Sequence, residues 1–117
     1  LLAKTKGLKM LCANPDLVVD FGETRIFCAG ALAELYEEMG GSVTWVGKPY
    51  AQIYKEAARL IGNPARILCI GDSAEHDVAG GRNAGLETLL VLQGVSSGHD
   101  AATLSPQPDY VMDAFQW

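Results

Sequence analysis

Apolar positions along the chain recur with two alternating periods. Cys28, Ala31, Leu32, Leu35, Tyr36 and Met39 fall at helical spacing, and Gly40-Gly41 closes the run, which predicts a helix over 28–39. Tyr50, Ile53, Tyr54, Ala57, Ala58 and Ile61 repeat the pattern behind Pro49 and stop at Gly62-Asn63-Pro64. A shorter helix is expected over 75–84, ending at Gly85. Between these lie apolar runs of strand length: KMLCAN (9–14), SVTWVG (42–47), RILCIG (66–71), ETLLVLQG (87–94) and DYVMD (109–113). LVVDFGETRIF (17–27) reads as a hairpin turning near Gly22. From Ser42 onward strand and helix alternate. The runs at 66–71 and 88–92 are apolar nearly throughout, as expected of strands covered on both faces. The pattern predicts an α/β fold with a parallel sheet.

Composition narrows the possible functions. The 117 residues are 49% hydrophobic, enough for a packed core. A net charge of −5 argues against nucleic acid as a partner, because phosphate neutralisation needs clustered Lys and Arg. No apolar run has the roughly 18 residues of a membrane span. LLAKTKGLKM lacks the apolar stretch and cleavage site of a signal peptide. Cys12, Cys28 and Cys69 each lie in an apolar segment and read as reduced core residues, so a cytoplasmic protein is expected.

The candidate chemistry lies in LCIGDSAEHDVAGG (68–81), where an apolar run stops at Gly71 and carboxylates follow at Asp72 and Asp77. Ligands of open parallel sheets gather beyond the carboxyl ends of the strands. Asp72 falls at such an end, as does Lys48 one predicted strand earlier in WVGKP. Two carboxylates and a cation in one crevice suit Mg²⁺ and a phosphoryl group. The same residues also fit a plainer reading. Asp72 or Ser73 caps a helix, with Asp72-x-x-Glu75 as a capping-box variant, and Lys48 is a solvated loop residue.

VGKPYAQIY followed by RILCIGDSAEHDVAGGRNAGLETLLVLQGVSSG resembles the C-terminal half of a haloacid-dehalogenase (HAD) superfamily phosphatase, most nearly of class IIA. ANPD (13–16), AGAL (29–32) and PDYVMDAF (108–115) fit the same class. The resemblance implies a three-layer Rossmann-like core, of which residues 43–117 would be the C-terminal half. Residues 1–42 would be the remnant of a C2-type α/β cap. It implies hydrolysis of small phosphate esters with Mg²⁺ through an aspartyl-phosphate, a small phosphorylated metabolite being the partner. By position, Lys48 steadies the nucleophile and the phosphoryl group, Asp72 is the metal ligand, and Asp77 supports both. Gly47, Gly71 and Ser73 frame the site. His76 matches no family role. Asn14 and Asp16 are candidate cap contacts to substrate, although Asx-Pro turn chemistry explains them equally well.

The family's nucleophile motif, Asp-x-Asp, does not occur in these 117 residues. The nearest imitation is LVVDFGET (17–24), with Asp20 but Gly22 at the acid/base position. The chain is therefore expected to begin within the cap and to be inactive alone. The missing N-terminal half, or a second copy at an unpaired sheet edge, is an expected partner. A non-catalytic binding or assembly module that keeps the HAD fold is the alternative.

Overall fold

The computed structural model describes residues 2–22 and 24–116. Glu23 and the Asp20 side chain, both in the LVVDFGET segment, lie outside the described residues. The chain divides into two compact units, Leu1–Gly47 and Lys48–Trp117.

The first unit contains α1 (Leu2–Thr5), β1 (Lys9–Cys12), β2 (Val18–Phe21), β3 (Thr24–Phe27), α2 (Ala29–Glu38) and β4 (Ser42–Trp45). β1 and β4 pair in parallel, from Lys9 opposite Ser42 to Cys12 opposite Trp45. Helix α2 buries Ala33 and Tyr36, and the Tyr36 hydroxyl donates to the Leu8 carbonyl at 2.6 Å. β2 and β3 form the expected hairpin, with Gly22 at φ +62° in the turn. Strand 42–45, which the alternation placed at the head of the second unit's sheet, instead pairs with β1. An apolar run shows that a segment pairs but not with which strand.

The second unit contains α3 (Ala51–Leu60), β5 (Leu68–Gly71), a π-helical turn (Ala74–Val78), α4 (Ala79–Asn83), β6 (Glu87–Val91) and β7 (Tyr110–Met112). The sheet order is β5-β6-β7, parallel throughout. β6 is the core, with Thr88, Leu89, Leu90 and Val91 buried. Glycines draw α4 close: a Cβ at Gly81 would press on Thr88 and Cys69, and one at Gly80 would enter the Tyr54 ring. β5 departs from the expectation of two covered faces, because Leu68 and Ile70 are 44% and 49% exposed. The helix expected over 75–84 begins as a π turn because the Val78 amide reaches five residues back to the Ser73 carbonyl at 3.1 Å.

Candidate functional site

β5 ends at Gly71, and the chain turns through Asp72 and Ser73 into the π turn. Ser73 is the cap: its Oγ accepts from the His76 amide at 3.2 Å and lies 3.1 Å from His76 Nδ1. Because Oγ accepts from that amide, its own proton is available to the imidazole nitrogen. The Ser73 amide in turn donates to Asp77 Oδ2 at 3.1 Å. The other oxygen of Asp77, Oδ1, receives Lys48 Nζ at 2.5 Å. Both Asp77 oxygens are therefore engaged within the chain. The Asp77 side chain is 10% exposed and that of Lys48 is 55% exposed, so the buried partner fixes one end of the pair while the ammonium faces outward. Gly71 is required where it stands, since any Cβ there would collide with the Asp77 side chain.

Burial, with smaller contributions from Asp77 and Cys69, pushes the Tyr54 hydroxyl up to about 12. That hydroxyl donates to the His76 carbonyl at 3.3 Å. Burial, and then Asp77, also raises the Cys69 thiol above its ordinary value.

Asp72 is held separately. Because β5 and β6 run parallel, their C-terminal ends share a side, and the Gly94–Ser96 turn after β6 meets Asp72. The Val95 amide donates to Asp72 Oδ2 at 2.9 Å, and Ser96 Oγ donates to the Asp72 carbonyl at 2.5 Å. No hydrogen bond is made to Oδ1 by the described residues. Asp72, Gly94, Ile70, Val91 and Phe115 border a cleft of about 470 Å³ at this end of the sheet. A second cleft, about 400 Å³, lies at the opposite end, against Arg66, Leu68, Glu87 and Tyr110, away from Asp72 and Asp77.

The structure thus joins Lys48, Ser73 and Asp77 by hydrogen bonds and places Asp72 beside them in sequence under its own restraint. Asn14, Asp16 and Gly47 lie in the first unit. Asn14 Oδ1 accepts from the Asp16 amide at 3.1 Å, and Gly47 is packed so closely on Pro15 and the Ala13 carbonyl that a Cβ would not fit. Sequence reading did not single out the Gly94–Ser96 turn. The available signal was its place after a strand parallel to β5.

Among the described residues no group of three or more His, Cys, Asp or Glu side chains could cage a metal ion. Mg²⁺ does not need such a cage, since it is bound through one or two carboxylates, waters and a substrate phosphate. The free Oδ1 of Asp72 fits that requirement as one hard donor. Among the described residues no helix is long and apolar enough to cross a membrane.

A family model described as HAD-hydrolase-like matches residues 45–117. Ribonucleotide monophosphatase NagD of Escherichia coli (strain K12) is 32% identical over 107 residues, covering 90% of this chain and 42% of that protein. 5'-nucleotidase YutF of Bacillus subtilis (strain 168) is 28% identical over 119 residues, covering 99% of this chain and 46% of that protein. The crystal structure of a double-mutant thermostable NPPase from Geobacillus stearothermophilus superposes with a TM-score of 0.80 at 32% identity, covering 96% of this chain and 44% of that one. The chain spans less than half the length of these relatives.

Proposed function

The chain belongs to the HAD-like hydrolase family, and on that premise we propose that it is the C-terminal part of a Mg²⁺-dependent phosphatase of class IIA acting on small phosphate esters. The observation that carries this reading is the Lys48–Asp77–Ser73 network at the end of β5. Asp77, itself held by the Ser73 amide, accepts the Lys48 ammonium, and the exposed side of that ammonium is available to offset charge on a phosphoryl oxygen. Asp72 offers Oδ1 to Mg²⁺, which when bound supplies further neutralisation of the phosphate. Gly71 frames the site by its close packing on Asp77. Asn14 and Asp16 belong to a cap that selects the substrate. That cap extends beyond the 1–42 expected from sequence to include β4, which pairs with β1, and the core follows it.

The nucleophilic carboxylate is not an Asp-x-Asp of these 117 residues. It comes from an N-terminal half that seats against β5, where Leu68 and Ile70 are exposed, and it forms the aspartyl-phosphate there. The chain alone is inactive. The ribonucleotide monophosphatase NagD and the 5'-nucleotidase YutF support a small phosphorylated metabolite as substrate; a cytoplasmic location is part of the proposal. The missing Asp-x-Asp equally supports a binding or assembly module that keeps the fold.

The deciding experiment supplies a class IIA N-terminal half, fused or in trans, and assays small phosphate esters with Mg²⁺. Turnover is expected only in the joined protein. Lys48→Ala and Asp72→Ala should each lower kcat by about 10²-fold, the scale of losing one preorganised electrostatic group. Near-wild-type turnover in Lys48→Ala would remove the catalytic role, and no turnover in any joined form would favour the binding module.

A further inference from the structure

We propose that the Gly94–Ser96 turn selects which divalent cation Asp72 accepts, by leaving that carboxylate a single oxygen to give. The inference rests on Asp72 being the Mg²⁺ ligand and concerns how that ligand is restrained. A carboxylate can bind a cation through one oxygen or through both. Ca²⁺ takes roughly six to eight oxygens in flexible geometry and accepts bidentate carboxylates, whereas Mg²⁺ demands near-octahedral geometry with few protein ligands.

Three features commit Asp72 to one-oxygen binding. Its Oδ2 already accepts the Val95 amide at 2.9 Å. The turn carrying that amide is pinned by Ser96, which is 3% exposed and donates to the Asp72 carbonyl at 2.5 Å. Gly94, at φ +54°, lies so close to the carboxylate that a Cβ would collide with it, so the group has no room to turn on that side. Presenting both oxygens to one cation adds a metal bond to an oxygen that already accepts the Val95 amide, on a carboxylate held against a pinned turn, and this weakens the two-oxygen mode. The turn therefore disfavours Ca²⁺ relative to Mg²⁺ without touching either ion.

The test uses the whole 117-residue chain, titrated with Mg²⁺ alone and with Ca²⁺ alone. Binding is followed by calorimetry and by the NMR signal of the Val95 amide. In the wild type both ions should bind at millimolar strength or weaker. Ca²⁺ should bind no more tightly than Mg²⁺, and the Val95 amide should keep its hydrogen-bonded shift at saturating Mg²⁺. Val95→Pro removes the donor and Ser96→Ala frees the turn. In each, Ca²⁺ affinity should rise about tenfold relative to Mg²⁺, the effect of regaining one coordinating oxygen. Ser96→Ala, which deletes only a hydroxyl, carries the decision if Val95→Pro does not fold. An unchanged Ca²⁺ to Mg²⁺ ratio in Ser96→Ala, with the Val95 amide bond shown to be lost, overturns the proposal. So does loss of that bond on wild-type Mg²⁺ binding. Asp72→Asn separates the two readings. If it leaves binding intact, Asp72 is not the ligand and the underlying assignment fails. If it abolishes binding while the ratio stays fixed in the turn variants, only the restraint fails.

Discussion

Replacing Asp77 by Ala and by Asn should have unequal effects on stability, and the inequality follows from what each oxygen holds. Ala removes the acceptor of the Ser73 amide, a buried donor at 3.1 Å. Leaving such a donor unsatisfied costs about 1–3 kcal/mol. Ala also dissolves the Lys48 pair, but Lys48 is 55% exposed and can turn to water, so that loss adds only about 0–1 kcal/mol. The expected total for Asp77→Ala is about 1–4 kcal/mol. Asn keeps a carbonyl oxygen for the Ser73 amide and loses only the Lys48 pair, so Asp77→Asn should cost about 1 kcal/mol or less. Urea unfolding followed by circular dichroism measures both. A cycle with Lys48→Met then isolates the ion pair, which should contribute only the smaller share. Equal costs for Asn and Ala would refute the argument that the Ser73 amide, rather than Lys48, is the partner that anchors Asp77 in the fold. In the joined enzyme the stability ranking should not protect activity. Asp77→Asn, nearly neutral for stability, should lower kcat about 10-fold to 100-fold because Lys48 loses its anchor.

Gly94→Ala should destabilise the second unit and displace the Asp72 carboxylate, because the new methyl falls on it and the left-handed φ is strained for any Cβ; thermal unfolding and the Val95 amide shift report the two effects. Tyr54 is held protonated to about 12 against an ordinary 10.0, so its contribution is complete below pH 10 and is lost as pH rises toward 12. Tyr54→Phe should accordingly flatten the fall of stability over that alkaline window, as read by unfolding at stepped pH. The Asp109 carboxyl is held below its ordinary 3.8, first by the Thr88 hydroxyl and then by the Thr88 amide, so its contribution is present above that value and is lost as the solution is acidified. Asp109→Asn should reduce the acid sensitivity of the second unit, and an unchanged acid midpoint would count against the assignment.

The sequence carried more of the local arrangement around the candidate site than of the topology. Asp72, Ser73 and Asp77 were legible because they follow a short apolar strand and open a helix, and both constraints are local. The hairpin and both ten-residue helices were legible for the same reason, since the period and the terminating glycines lie within one window. The pairing of Ser42–Trp45 with Lys9–Cys12 was not, because ladder partners are chosen across the chain and the apolar run at 42–47 would suit either sheet. The covered-face reading of 66–71 failed because an unbroken apolar run does not by itself say which neighbours supply the cover. His76 matched no motif, yet its ring lies 3.1 Å from Ser73 Oγ, a contact that only the cap geometry creates. The role of Gly94, Val95 and Ser96 was hidden because two carboxyl-end loops become neighbours only once the parallel register of β5 and β6 is known.

The position of β5 bears on how the protein behaves in concentrated solution. It is an edge strand of its sheet, with Leu68 and Ile70 exposed, and edges of this kind template pairing between molecules. Its defences are brevity and bracketing charge. Only four residues are extended, with Arg66, paired to Glu87 at 3.0 Å, shortly before them and Asp72 immediately after. Charges flanking an apolar strand act as gatekeepers against aggregation. Asp72 thereby guards the solubility of the strand it ends. A preparation of Asp72→Ala that turns cloudy has lost a gatekeeper, and light scattering on that variant separates this loss from any change in cation binding.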